Sequence, residues 1–136
     1  PNTPQVVDQL DAFFDLVRFS KEDKRNFFTP VRSRFFREIT HQMAKRDHLR
    51  LFFLEIDGKK AASTLCFDYG STRFLYNSGF NPEFAYYSVG LLLKVFCMKD
   101  AIEKGKDYFD FLRGSERYKY HLGAQDRTLF TLKISR

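Results

Sequence analysis

The residues best able to do chemistry are concentrated between Asp110 and Gly123, which read DFLRGSERYKYHLG. Two arginines, a lysine, two carboxylates, two tyrosines and a histidine fall between an apolar run and a glycine. Asp110 is flanked by Tyr108, Phe109, Phe111 and Leu112. A carboxylate in such surroundings must pair with a cation or accept backbone hydrogen bonds, because burying it bare is costly. Arg113, Arg117 and Lys119 are the nearby cations, and the choice between a structural ion pair and a catalytic carboxylate stays open. Ser115 to Leu122 reads as a short helix capped by Ser115 and stopped by Gly123. On it Glu116 and Tyr120 share one side, Arg117 and His121 another, with Lys119 between. Tyr118 or Tyr120 is suited to protonate a leaving thiolate if it lies within hydrogen-bond reach. A solvated helix face is the plainer alternative.

A second candidate is Phe80 to Leu91, FNPEFAYYSVGL, where a loop leaves a strand and opens a helix. Unpaired N–H groups at a helix start suit a pyrophosphate, with Ser88 as cap and Gly90 allowing close backbone approach. An ordinary capped helix start is again the alternative. Cys97 sits in the apolar stretch LKVFCMK with no histidine placed to activate it, so it is not read as a nucleophile.

The elements that must position these groups follow from periodicity. Thr3-Pro4 opens a helix whose Val6, Val7, Leu10, Phe13, Phe14 and Val17 share a face. Ser20 with Asp23 suggests a capping box for a short helix through Phe27 and Phe28. Thr29-Pro30 opens another helix, with Val31, Phe35, Ile39 and Met43 as its apolar stripe, widened by Phe36. From Leu49 the period changes. Leu49–Ile56, Lys60–Tyr69 and Arg73–Gly79 form an antiparallel meander turned by Asp57-Gly58 and Gly70-Ser71. Val89 to Ile102 is apolar nearly all round and is expected as a helix buried against the sheet, ending at Gly105. Tyr108–Leu112 follows as a strand parallel to its neighbour. Leu129–Ile134 is expected as the last strand.

The chain has 136 residues, enough for one domain with a real core, and 18% of them are aromatic. Its net charge of +6 is dispersed: ten basic residues against seven acidic in 1–50, five against four in 51–99, eight against six in 100–136. That pattern describes a mixed-sign surface and carries no basic run of the kind that binds DNA, while tolerating an anionic nucleotide ligand. Cys66 and Cys97 lie in apolar stretches and read as buried free thiols, which fits a reducing, cytoplasmic setting. His41, His48 and His121 show no paired ligand spacing, so no metal is expected. The longest apolar run, near Val89–Met98, is interrupted by Lys94 and too short to span a bilayer.

From Leu49 to Ile134 the sequence resembles the GNAT acyltransferase superfamily, and within it the FemAB-like acetyltransferases associated with cellulose or exopolysaccharide biosynthesis. The resemblance is carried by LRLFFLEIDGKKAASTLCF, by YNSGFNPEFAYYSVGLLLKVFCMKDAIEKG and above all by FDFLRGSERYKYHLGAQDRTLFTLKI. The order of elements and this resemblance together lead to the expectation of a GNAT-like mixed, mostly antiparallel sheet with helices on both faces, in one domain over 1–136 made of a helical part (1–48) and a sheet core (49–136). The resemblance also implies a CoA thioester such as acetyl-CoA lying between two splayed parallel strands, with its pyrophosphate at the helix start. Phe80, Asn81, Ser88, Val89, Gly90 and Leu91 would bind it. The branch usually has Ser-Pro-Gly here, where this chain has Val89 in the middle, and the Arg/Gln-x-x-Gly-x-Gly/Ala phosphate signature is not recognisable.

Fem-type transferases share an aromatic–lysine pair followed by glycine, matched by Tyr118-Lys119 and Gly123. The resemblance therefore implies a catalytic set of Lys119, Tyr118, Asp110, Arg113 and Glu116. Lys119 would stabilise charge at the acyl carbonyl, a tyrosine would stand near the sulfur, and the other three would organise the loop or the acceptor amine. The expected activity is N-acyl transfer to an amine on a small molecule or cell-envelope precursor. The alternatives are a donor in the form of aminoacyl-tRNA, or a non-catalytic GNAT-like module. The chain opens on Pro1 and resembles the C-terminal half of a two-unit protein, so it is expected to be part of something longer.

Overall fold

A computed structural model of the chain describes residues 3–20 and 29–135. In chain order the elements are helix α1 (Thr3–Ser20), helix α2 (Pro30–Lys45) and strands β1 (Leu49–Ile56), β2 (Lys59–Tyr69) and β3 (Thr72–Phe80). A 3-10 segment (Pro82–Tyr87), helix α3 (Val89–Glu103), strand β4 (Tyr108–Asp110) and the short helix α4 (Arg117–His121) complete them. The short helix expected from Ser20 and Asp23 lies outside the described residues, as do the side chains of Thr3, Val6 and Val7.

The four strands form one sheet in sequence order. The first three make the antiparallel meander and β4 joins β3 in parallel, so the sheet is mixed, as its sequence implied. The first hairpin turns on Asp57 (φ 50°) and Gly58 (φ 77°), both left-handed as a two-residue hairpin requires. The return from β3 to the parallel β4 needs a crossover, which α3 supplies.

Alternation along the strands sends residues to two cores, one on each face. Leu49 and Leu65 pack with Leu10, Phe13, Phe14 and Val17 of α1 and Phe36 of α2. Ala61 and Ala62 both pack with Val89, Leu93 and Cys97 of α3, because a register slip opposite Leu54 and Glu55 leaves Ala61 as an extra residue and breaks the alternation there. Full burial of rings such as Phe13 and Phe14 stabilises by about 2–3 kcal/mol each. Gly79 is where α1 crosses the sheet most closely: a Cβ there would stand 2.4 Å from the Val17 backbone nitrogen. Only glycine lets helix and strand meet at that distance.

Helix α3 is bolted to the sheet by charge as well. Arg73 on β3 is fully buried and holds Asp68 on β2 through two bonds, Nε to Oδ1 at 2.7 Å and Nη2 to Oδ2 at 2.9 Å. It also donates to Asp100 of α3 at 2.6 Å and to the Cys97 carbonyl at 3.1 Å. Burial pushes the Asp68 carboxyl upward, but the bonds and charge of Arg73, helped by Arg50, outweigh that and hold it below the ordinary range. Both cysteines are buried and free, and the hydrogen bond between the Cys66 and Cys97 thiols, with burial adding to it, keeps the Cys66 thiol well above its ordinary value.

Several expectations are corrected. Thr29 caps α2, its hydroxyl accepting from the Arg32 N–H at 3.2 Å, but the apolar stripe is rotated. Phe36 and Thr40 face the core while Val31 and Phe35 are exposed, because α1 packs along the Phe36 side. Helix α3 is buried along one side only: Leu91, Leu92, Val95, Phe96 and Ile102 stay exposed, since the sheet covers a single face. Strand β4 stops at Asp110, where Leu112 turns left-handed (φ 61°). Residues 129–134 form no strand. Leu129, Phe130, Leu132 and Ile134 are exposed, because strand propensity needs a ladder partner and none of the described strands takes them.

Candidate functional site

Strands β3 and β4 pair over three residues only, Thr72–Phe74 against Tyr108–Asp110. Beyond that β3 continues to Phe80 while the other chain veers off at Leu112, so the two part. A cleft of about 510 Å³ opens where they separate. Its β3 wall is Leu75, Tyr76, Asn77 and Ser78, and opposite stand Phe111, Leu112 and Arg113. The start of α3 contributes Ser88, Val89, Gly90 and Leu91, and α4 with its lead-in contributes Glu116, Tyr118 and Lys119. The two sequence segments singled out for chemistry, about thirty residues apart, thus meet across one slot.

The pairing between β2 and β3 slips at this point: Cys66 faces Leu75 and Leu65 faces Asn77, leaving Tyr76 as an extra residue. Such a bulge breaks the ladder and re-aims the strand where it borders a site. The Tyr76 ring rests on Phe36 and Phe67, which fixes the bulge from the opposite core.

At the helix start, Ser88 adopts a left-handed backbone (φ 51°) and its side chain makes no capping bond, so the expected cap is absent. The strain of a non-glycine left-handed residue is concentrated where the loop enters the cleft. Gly90 has ordinary helical backbone, and a Cβ placed there would make only ordinary contacts, with Phe80 at 3.8 Å and the Lys94 ammonium at 3.9 Å. Phe80 lines the cleft. Asn81 does not; its side chain accepts the Glu83 N–H at 3.0 Å and opens the 3-10 segment.

On the other wall Lys119 is buried rather than at a solvated tip. It donates to the Arg113 carbonyl at 2.8 Å and the Gly114 carbonyl at 3.3 Å, and pairs with Glu116 at 2.8 Å. It therefore ties the loop that forms this wall. Tyr118 is half-buried in the cleft, its ring against Phe111, and burial with the neighbouring Glu116 charge pushes its phenol up to about 12. Tyr118 is thus protonated at neutral pH. Tyr120 lies outside the cleft and donates to Asp126 at 2.7 Å. Asp110 pairs with none of the three cations proposed for it. It takes the other expected course, accepting the Leu112 N–H at 2.7 Å, and so shapes the turn that opens the cleft without lining it. Ser115 is not the cap of α4, whose first turn follows Glu116.

Sequence reasoning missed Lys94, Tyr76, Asn77, Ser78 and Ser20 as cleft residues. Ser20 ends α1, donating to the Leu16 carbonyl and accepting the Phe80 N–H at 2.7 Å, which pins the end of β3. For Lys94 a signal existed: it is the one basic residue within the apolar core of α3, and a lysine there must be buried or snorkel. The register slip at Tyr76 left none. Among the described residues no cluster of three or more His, Cys, Asp or Glu side chains is arranged to hold a metal, and no helix is long and apolar enough to cross a membrane.

Comparison with known proteins accords with this architecture. Residues 3–120 match the family model described as the acetyltransferase (GNAT) domain. No curated protein sequence matches. Among solved structures, a probable acetyltransferase is similar with a TM-score of 0.68 at 14% identity, covering 95% of this chain and 94% of its own. An aminoglycoside acetyltransferase from an uncultured soil metagenomic sample, in complex with sisomicin, gives 0.59 at 15% identity, covering 99% and 91%. The aminoglycoside N-acetyltransferase AAC(6')-Iy, in complex with a CoA-based bisubstrate analogue, gives 0.61 at 18% identity, covering 90% and 92%.

Proposed function

Because the chain belongs to the GNAT acetyltransferase domain family, we propose that it transfers an acyl group from a CoA thioester to an amine in the cleft between β3 and β4. The observation that carries this reading is the parting of two parallel strands after three paired residues, with the start of α3 at one end of the gap. A slender amide-bearing chain fits such a slot, because exposed strand backbone and apolar walls (Leu75, Val89, Phe111) offer it both hydrogen bonds and packing. The first turn of α3 offers unpaired N–H groups to a pyrophosphate.

When bound, the thioester supplies an activated acyl carbonyl. The residues of this chain then do three things. The bulged backbone around Tyr76 and Asn77 borders the gap and offers N–H donors for a carbonyl oxygen. Tyr118, protonated at neutral pH, gives its proton to the departing sulfur as the nitrogen–carbon bond forms and the carbon–sulfur bond breaks, and the proton shed by the acylated nitrogen passes back to the phenolate, so the phenol is restored and the products are an amide and free CoA thiol. Lys119, Glu116 and Arg113 hold the wall that positions both partners, so Lys119 is a positioning residue rather than the oxyanion donor. Asp110 supports that wall through the turn at Leu112.

Within the family, Tyr118-Lys119 followed by Gly123 supports a place near the FemAB-like branch, and the acceptor is an amine-bearing small molecule or envelope precursor. Two buried free thiols support a reducing, cytoplasmic setting. The decisive experiment is calorimetric titration with acetyl-CoA, followed by thiol release in the presence of a panel of primary amines. Micromolar binding with amine-dependent release is expected. A well-folded sample that binds no CoA would leave the chain as a non-catalytic GNAT-like module.

A further inference from the structure

The two cysteines stand on different elements and meet between them. Cys66 is on β2 and Cys97 is in the middle of α3, and both are fully buried. Cys66 and Asp68 are two residues apart on one strand, with unbroken register between them, so their side chains leave it on the same side. Asp68 identifies that side as the one under α3, because it holds Arg73, which reaches on to the Cys97 carbonyl and to Asp100. Cys97 faces the sheet from above, packed with Ala61 and Ala62 of the same strand. The two thiols are hydrogen-bonded to each other. Sulfurs in such contact need only close to about 2.05 Å to become a disulfide. Neither cysteine lines the cleft, and among the described residues they belong to no cluster able to hold a metal. The proposed transfer reaction leaves the pair without a role.

We propose that Cys66 and Cys97 are a redox pair that closes to an intramolecular disulfide, a covalent clamp between the sheet and α3, the helix whose start lines the cleft. The oxidant is a small-molecule disulfide. One cysteine, as its thiolate, attacks a sulfur of the oxidant, forming a mixed disulfide and releasing one small thiol. The second cysteine then attacks the first cysteine's sulfur, so the Cys66–Cys97 bond forms as the mixed disulfide breaks and a second small thiol leaves. The two cysteine protons end on the two released thiols. Two cysteines are oxidised and one disulfide bond of the oxidant is reduced. Burial makes the reaction conditional, because a fully buried thiol neither meets the oxidant nor ionises readily. Exchange proceeds from an opened form in which α3 lifts from the sheet. The packing of α3 allows this, since it is covered on one side only and Leu92, Val95 and Phe96 on its outer side are exposed. Once closed, the bond forbids that form. The clamp does not depend on the transferase reading.

The test incubates the folded wild-type chain with oxidised glutathione, quenches it in acid and maps its peptides by mass spectrometry. The expected product has lost two hydrogens, yields one cross-linked peptide joining Cys66 to Cys97, carries no lasting glutathione and returns to the starting mass with dithiothreitol. The oxidised form should melt about 5 °C or more above the reduced one, because the bridge closes a loop of about thirty residues in the unfolded chain. Cys66→Ala and Cys97→Ala should each stop at a mixed disulfide with glutathione and show no such rise. The proposal is overturned if the folded chain stays reduced and bridges only in urea, if the bridge joins two chains, or if the oxidised form melts no higher than the reduced one. Each of these outcomes is read on the wild-type chain, so the proposal stays decidable even where an alanine variant does not fold.

Discussion

The Lys119 ammonium lies 2.8 Å from a Glu116 carboxylate oxygen, and the lysine is buried while the glutamate is exposed. With the bonds to the Arg113 and Gly114 carbonyls, the contact makes one side chain the fastener of the whole loop from Arg113 to Glu116. The apolar stem of the lysine is buried under the loop, and all three ammonium donors are turned to protein acceptors.

Lys119→Ala is therefore expected to cost about 1–3 kcal/mol of stability, the range for leaving buried hydrogen-bonding groups unsatisfied. Urea unfolding measures it. CoA affinity should fall at the same time, because the wall of the cleft loosens. Full stability with selective loss of turnover would instead assign Lys119 to the chemical step.

Tyr118→Phe should leave folding intact, as the ring contacts with Phe111 and Lys94 survive. Turnover should fall by at least tenfold with KM little changed, the pattern of a lost proton donor. Steady-state kinetics of thiol release check it. An unchanged rate would remove the phenol from the mechanism.

The same phenol predicts a pH effect on stability. Its folded value is raised to about 12 from the ordinary 10. The stability it contributes is complete below about pH 10 and is lost as pH rises toward 12, because the unfolded phenol ionises first. Wild type should lose more stability than Tyr118→Phe across that window, measured by unfolding at matched ionic strength.

Arg73→Ala should cost about 3–5 kcal/mol, since it strands the buried Asp68 carboxylate without its bidentate partner. At low pH the sign is that of a depressed carboxylate: the stability from Asp68 is present above its unfolded value and is lost as pH falls through the lower folded one. Wild type and Arg73→Ala should accordingly converge in acid. A constant difference at every pH would place the loss in packing rather than charge.

Gly79→Ala should be among the more damaging single-methyl additions in the chain, about 3 kcal/mol or more, because backbone atoms of Leu16 and Val17 stand in the way. Circular dichroism melting of the variant reports it. A neutral outcome would show that α1 can slide on the sheet.

Much of the framework was legible in the chain itself. Asp57-Gly58 dictates a left-handed turn whatever surrounds it, Thr29-Pro30 opens a helix, and the period-two run from Leu49 alternates between two cores, because these signals act over a few residues. Elements that depend on a distant partner were not legible. Val31 and Phe35 face outward because α1 chose the Phe36 side, and the apolar segment 129–134 has strand composition without a strand beside it. The cleft belongs to the same class. The residue types near Gly90 and Tyr118 marked both as chemically able, but their meeting depends on β3 and β4 parting after three residues. Sequence separation hides Lys94 beneath Tyr118, the Tyr76 bulge and the fastening of Lys119 alike, because each is set by packing between elements that local periodicity does not encode.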